Sequence, residues 1–193
     1  MIEKIKAEIS ESIETKQKLL LSTELLSKIQ EAVELSLVAL RNGGKIIFCG
    51  NGGSFADSQH LAAEYISRLR FDRESLASMA LGTNSSNLSA IGNDYGYEKV
   101  FERELSALGK EGDVFFPIST SGNSPNVIAA IEVAKQKNIK TIAFTGGTGG
   151  KIAQLCDCII VPSSRTEKIQ ESHIMIGHII CGLVEEEYFK AKV

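Results

Sequence analysis

The chain has 193 residues, 43% of them hydrophobic, a formal net charge of −3 and a pI near 5.7. That is enough apolar material for one substantial domain, and the acidic balance provides no broad basic surface for nucleic acid. The charged N-terminus MIEKIKAEISESIETKQ has no signal-peptide core, and no apolar run approaches the ~18 residues of a membrane span, so a cytoplasmic protein without a membrane partner is expected.

In chain order, residues 2–41 read as two helices or one bent helix. Leu25, Leu26, Ile29, Val33, Leu37 and Leu40 recur at helical spacing on one face. Asn42-Gly43-Gly44 stops that pattern, and Lys45–Cys49 is an apolar run of the buried-strand type. Asn51-Gly52-Gly53-Ser54 then turns into a helix from about Ser54 to Arg68. The same grammar repeats with a strand over Leu76–Leu81 and helical sequence through Leu108. A strand over Asp113–Ser119 follows, then a helix over Asn126–Lys137 with Pro125 in its first turn. Strands over Lys140–Thr145 and Cys158–Val161 come next, and the last long helix covers Glu167–Tyr188.

Strands alternating with helices predict an α/β fold: a three-layer sandwich on a five-stranded, largely parallel, flavodoxin-like sheet. The expected organisation is a single domain, 1–193, with residues 1–41 as a helical arm. Surplus apolar residues in the terminal helices, Leu19–Leu21 with Ile174, Ile176, Ile179 and Ile180, suggest subunit packing as well as core. The four cysteines (49, 156, 158, 181) read as reduced thiols, and the single residue between Cys156 and Cys158 disfavours a zinc cluster there.

Turns after parallel strands are the usual ligand sites of such sheets, and helix N-termini offer free N–H groups to an anion. Asn51–Ser54 fits that description. Ser119-Thr120-Ser121-Gly122-Asn123-Ser124 fits better, with four hydroxyls and an amide around one glycine. The lysine of a nucleotide-triphosphate loop and the dinucleotide glycine fingerprint are both missing, so a monophosphate is the simpler ligand. Gly146–Gly150 lacks comparable donors and reads as structural.

Histidine is the side chain best suited to proton transfer near neutrality, and the chain has only three. His60 and Glu64, four apart on one helix, share a face and could orient a base or supply two metal ligands. On the last helix His178 sits among apolar neighbours, while His173 reads as structural. Asn93-Asp94 forms a polar island suited to sugar hydroxyls or to an Asx turn. These residues describe a phosphosugar or phosphometabolite enzyme using Glu and His. They leave isomerase, aldolase, lyase and non-catalytic sensor open.

Taken together, GNGGS…DSQHLAAE, AIGNDYG, ISTSGNSPNV, TGGTGG and RTEKIQESH…H resemble the successive motifs of the phosphoheptose isomerase family of the sugar isomerase (SIS) class. The resemblance covers about residues 30–190. It implies conversion of sedoheptulose 7-phosphate into D-glycero-D-manno-heptose 7-phosphate for lipopolysaccharide, capsule or related glycans, in a cytoplasmic homotetramer with sites at subunit interfaces. It further implies Glu64 as base and His178 as proton shuttle in a cis-enediol mechanism. Asn51, Gly52, Gly53, Ser54, Asn93, Asp94, Ser119, Thr120, Ser121 and Ser124 would contact substrate together with Glu64 and Gln170. His60, Glu64, Gln170 and His178 match zinc ligands.

Gln170 and His178 are eight residues apart, roughly 12 Å of helix, so one ion shared by both requires a long reach, a helix break or two subunits. Phe55 and Phe116 depart from the small or polar residues expected at those places. The alternatives are a non-catalytic SIS protein that binds a replication-initiation protein, or an isomerase or etherase of another phosphosugar. The presence of Glu64 and His178 argues for catalysis, and IQESH with AIGNDYG favours heptose.

Overall fold

The computed structural model describes residues 1–190. Ser22 divides the N-terminal helical sequence into α1 (Ile2–Leu21) and α2 (Thr23–Arg41). Its backbone is extended, and its hydroxyl accepts from the Leu25 N–H at 3.3 Å, satisfying a donor that the start of a helix otherwise leaves open. Of the two readings of this stretch, two helices is the one the fold adopts. α2 buries Ile29, Val33, Leu37 and Leu40, while Leu26, expected on the same face, is exposed.

Then follow β1 (Ile46–Gly50), α3 (Gly53–Ile66), β2 (Ser78–Ala80), α4 (Ser85–Tyr95), α5 (Val100–Leu108) and β3 (Val114–Ile118). The chain closes with α6 (Pro125–Gln136), β4 (Lys140–Gly146), β5 (Asp157–Val161) and α7 (Thr166–Lys190). The five strands are all parallel in the order β2-β1-β3-β4-β5, the flavodoxin-like order, with Ile46 opposite both Ser78 and Val114. β2 is shorter than its apolar run because it is an edge strand that pairs with β1 at only three positions.

Strand alternation sorts the side chains into two cores. Phe48, Phe116, Phe144, Ile159 and Val161 face one side, where they meet buried residues of α2, α3 and α7. Ile47, Cys49, Phe115 and Ala143 face the other, against α5 and α6. Phe116 is a core residue, with its ring centroid 5.6 Å from that of Phe48 and 5.9 Å from that of Phe144. Leu19, Ile176 and Ile180 also belong to the core rather than to any surplus apolar surface, whereas Leu20, Leu21 and Ile179 are exposed. Cys49 and Cys181 are buried, and Cys156 and Cys158 half-buried.

The order places a switch point between β1 and β3. From it β1 leads through α3 towards β2, and β3 leads through α6 towards β4 on the opposite side. The crevice at such a point, beyond the strand ends, is where ligands of open α/β sheets bind.

Candidate active site

Both expected turns lie at that crevice. After β1, Gly52 adopts φ +56° and begins α3, whose N-terminus has no side-chain cap. After β3, Ser124 precedes Pro125 at the start of α6, which also has no side-chain cap. The start of α3 therefore presents backbone N–H groups to an anion, whereas in the first turn of α6 Pro125 has no N–H and the Val127 N–H donates to Asn126 Oδ1 at 3.0 Å. Ser119 Oγ and Ser124 Oγ are 2.9 Å apart, closing the hydroxyl-rich turn on itself. Gly122 has φ +64°, and a Cβ there would lie 1.9 Å from the Gly149 carbonyl oxygen. The Gly146–Gly150 segment thus packs against the serine turn, in keeping with a structural role.

Two asparagines join the turns. Asn51 Nδ2 donates to Asn126 Oδ1 and Asn126 Nδ2 donates to Asn51 Oδ1, both at 2.9 Å. The Tyr97 hydroxyl donates to the same Asn51 oxygen at 3.0 Å. Asn126 and Tyr97 escaped the sequence reading. The available signals were an amide in the first turn of α6 and an aromatic directly after Asn93-Asp94-Tyr95-Gly96.

α3 and α7 pack side by side in the same direction. Gly53 meets Gln170, Leu61 meets Gly177, and the Leu69 and Arg70 N–H groups donate to Glu185 at 2.9 and 2.7 Å. This alignment brings together the two histidine segments. His60 Nε2 lies 2.8 Å from His178 Nε2 and 3.1 Å from Glu64 Oε1. Burial, followed by the neighbouring His60, holds the His178 imidazole below its usual pKa, against the opposing pull of Glu64. That shift favours the neutral ring, which can donate at one nitrogen and accept at the other.

His60, Glu64 and His178 are the one His/Cys/Asp/Glu group among the described residues whose donor atoms converge closely enough for a metal, all within 4.8 Å of one another. Three lone-pair-bearing atoms meet there, and a cation between them satisfies all three at once. Two imidazoles and a carboxylate are a donor set suited to a borderline-soft divalent ion.

Gln170 is not part of that convergence within the chain. α7 is unbroken from Thr166 to Lys190, and the Gln170 amide rests against Gly53 at the phosphate-type turn. Asn93 and Asp94 are exposed near the end of α4, joined to each other at 2.8 Å. Thr120 is half-buried, and the exposed Ser121 hydroxyl accepts from the Asn123 N–H at 3.2 Å. Ser54 is buried at the start of α3, and Phe55 turns towards Gly82 and Phe101 beside β2. His173 is fully buried and hydrogen-bonds the Thr145 carbonyl at 2.9 Å, as a structural histidine would. Asp57, also missed, is buried one turn before His60, and burial pushes its carboxyl up to about 6.

Comparison with known proteins gives the same picture. A family model described as the SIS domain matches residues 7–146. A phosphoheptose isomerase of Aneurinibacillus thermoaerophilus is 55% identical over 189 residues, covering 97% of this chain and 96% of that protein. The solved phosphoheptose isomerase of Neisseria gonorrhoeae superposes with a TM-score of 0.89 at 45% identity, over 95% of this chain and 98% of that one. The Francisella tularensis structure described by the same name gives 0.91 at 33% identity, over 96% and 98%.

Proposed function

The chain belongs to the SIS-domain phosphoheptose isomerases, and on that premise we propose that it converts sedoheptulose 7-phosphate into D-glycero-D-manno-heptose 7-phosphate. The observation that carries the mechanism is the meeting of His60, Glu64 and His178 on one side of the α3–α7 seam, beyond a pair of anion-receptive turns.

The phosphate is remote from the reacting carbons. Its capture by Asn51–Ser54 and by Ser119, Thr120, Ser121 and Ser124 fixes the sugar chain for chemistry elsewhere. Asn93 and Asp94 contact sugar hydroxyls. Glu64 takes a proton from C1 of the open-chain ketose while His178 protonates the C2 carbonyl oxygen, giving the cis-enediol. Glu64 then returns its proton to C2 as His178 takes the proton of the C1 hydroxyl, leaving the aldehyde. A positioned acid and base of this kind contribute about 10²–10⁴-fold each.

His60, Glu64 and His178 would hold zinc, which when bound supplies Lewis-acid polarisation of sugar oxygens. Because α7 is unbroken, a Gln170 that completes the same set comes from a neighbouring copy of the chain. Self-association into a cytoplasmic homotetramer with sites between subunits fits the exposed stripe Ile2, Ile5, Ile9 and Ile13 on α1, and it fits an α4 that buries no residue within one chain. No helix among the described residues is long and apolar enough to cross a membrane.

The test is incubation with sedoheptulose 7-phosphate, following aldose formation, beside Glu64→Gln and His178→Gln. Wild-type turnover with both variants reduced at least about 100-fold is expected. Unimpaired turnover in either variant removes the role given to that residue. Elemental analysis of metal per chain in wild type and His60→Ala checks the zinc assignment.

A further inference from the structure

The switch-point crevice contains a side-chain arrangement that fixes how one of its polar groups addresses a ligand. Asn126 is 3% exposed, and its Oδ1 accepts from the Val127 backbone N–H at 3.0 Å. A backbone N–H only donates, so this bond settles which end of the Asn126 amide is oxygen, an assignment that otherwise rests on the surrounding network. With Asn126 oriented, its Nδ2 faces Asn51 Oδ1 and its Oδ1 faces Asn51 Nδ2, at 2.9 Å each. The Tyr97 hydroxyl takes the second acceptor position of Asn51 Oδ1 at 3.0 Å. Both lone pairs of the Asn51 oxygen and one of its two amide hydrogens are therefore committed among the described residues. The other amide hydrogen is what Asn51 has left to offer.

We infer that Asn126 and Tyr97 are positioning residues that hold the Asn51 side chain as a one-directional donor, so that its remaining N–H meets an acceptor oxygen of the phosphosugar. The clamp spans the turns after β1 and β3, the two loops between which the crevice opens. It fixes their separation as well as the rotamer of Asn51. A side chain held in its bound conformation loses no rotamer freedom when the ligand arrives. Tyr97 extends the clamp to the segment following α4, so the end of the helix that carries Asn93 and Asp94 is tied to the same point.

This inference rests on the phosphosugar reading and is tested with it. Asn126→Asp keeps the acceptor for Asn51 Nδ2 and for Val127 but removes the donor to Asn51 Oδ1. Its KM for sedoheptulose 7-phosphate is expected to rise about ten-fold, the loss of roughly one hydrogen bond of binding, with kcat changed less. If Asn126 acts through Asn51, the Asn51→Ala/Asn126→Asp double variant is no worse than the poorer single variant. Independent structural damage would multiply the two losses. A KM for Asn126→Asp equal to wild type, or multiplied losses in the double variant, overturns the inference. Should Asn126→Asp fail to fold, Tyr97→Phe decides. A KM raised about three-fold, and masked by Asn51→Ala, supports the clamp, and an unchanged KM overturns it. An inactive wild type would overturn the phosphosugar reading and this inference together, whereas an active wild type with an unaffected clamp variant overturns only the inference.

Discussion

His60 Nε2 lies 2.8 Å from His178 Nε2 although the two residues are 118 positions apart in the chain. What brings them together is close approach of α3 and α7, and beside the two histidines that approach is made at Gly177. A Cβ on Gly177 would fall 2.6 Å from both Leu61 methyl carbons, too near for the helices to keep their spacing. Leu61 and His60 are neighbours on α3, as are Gly177 and His178 on α7, so the packing contact and the chemical contact share one seam.

Gly177→Ala therefore separates α3 from α7 beside His60 and His178. We expect a stability loss of about 1–3 kcal/mol from overpacking and a fall in kcat of roughly ten- to a hundred-fold from misplacement of His178. Thermal melting with steady-state kinetics measures both, and an unchanged kcat would show that the seam does not set the geometry of the site.

Gly53→Ala acts differently. A Cβ there would meet the Gln170 amide nitrogen at 2.1 Å, but that amide is the end of a flexible side chain and can swing away. Activity should fall about ten-fold or more as Gln170 leaves the turn. Stability should change by less than about 1 kcal/mol, because alanine is a better helix former than glycine. Melting together with kcat/KM checks the split, and unimpaired kcat/KM would remove any functional meaning from the Gly53–Gln170 contact.

Glu185 is buried at the far end of the same seam. It accepts from the Leu69 and Arg70 backbone N–H groups and from Arg73 Nε at 2.9 Å, and the Arg73 side chain is itself only 3% exposed. Glu185→Ala leaves the buried Arg73 guanidinium without its counter-charge, and the Arg73 Nε–H and two backbone amides without their acceptor, although Arg73 keeps the Glu64, Tyr65 and Glu74 carbonyls. The expected loss is about 3–5 kcal/mol, measured by urea unfolding. A loss below about 1 kcal/mol would mean that water reaches these groups in the variant.

His173 contributes a pH dependence to stability. Burial lowers its pKa from the usual 6.5 to about 4, with the hydrogen bond to the Thr145 carbonyl opposing. The folded state thus holds the ring neutral where the unfolded chain protonates it. The associated stability is complete above pH 6.5, declines as pH falls and is lost below about pH 4. Its full size is about 3 kcal/mol. His173→Gln lacks this contribution, so the stability gap between wild type and variant should narrow as pH is lowered from 6.5 to 4. A gap independent of pH would contradict it.

Much of the fold was legible because strand and helix periods repeat cleanly. β1, β3 and β4 fall within about two residues of their apolar runs, whereas the apolar stripe of residues 2–41 left two helices or one bent helix open, and the break at Ser22 came from the structure. β2 came out shorter because its extent is decided by pairing with β1, which no local pattern encodes. At the site, His60 and Glu64 were legible as a pair because helical spacing puts them on one face. Their meeting with His178 depends on how α3 and α7 pack. Asn126 was invisible for the same reason, since its partner Asn51 lies 75 positions away across the switch point. Gln170 illustrates the limit of motif reasoning. The resemblance matched it to a metal set with His178, while the eight-residue spacing required a long reach, a helix break or two subunits; α7 is unbroken, and within one chain the Gln170 amide lies against Gly53.

The central claim is that Glu64 carries the proton between the carbons, and hydrogen exchange at C1 measures that step directly. With sedoheptulose 7-phosphate in heavy water, magnetic resonance should show the wild type forming aldose with solvent deuterium at C2, and exchanging the C1 hydrogen, at rates that Glu64→Gln lowers about 100-fold or more. Exchange and aldose formation at the wild-type rate in Glu64→Gln would contradict the account.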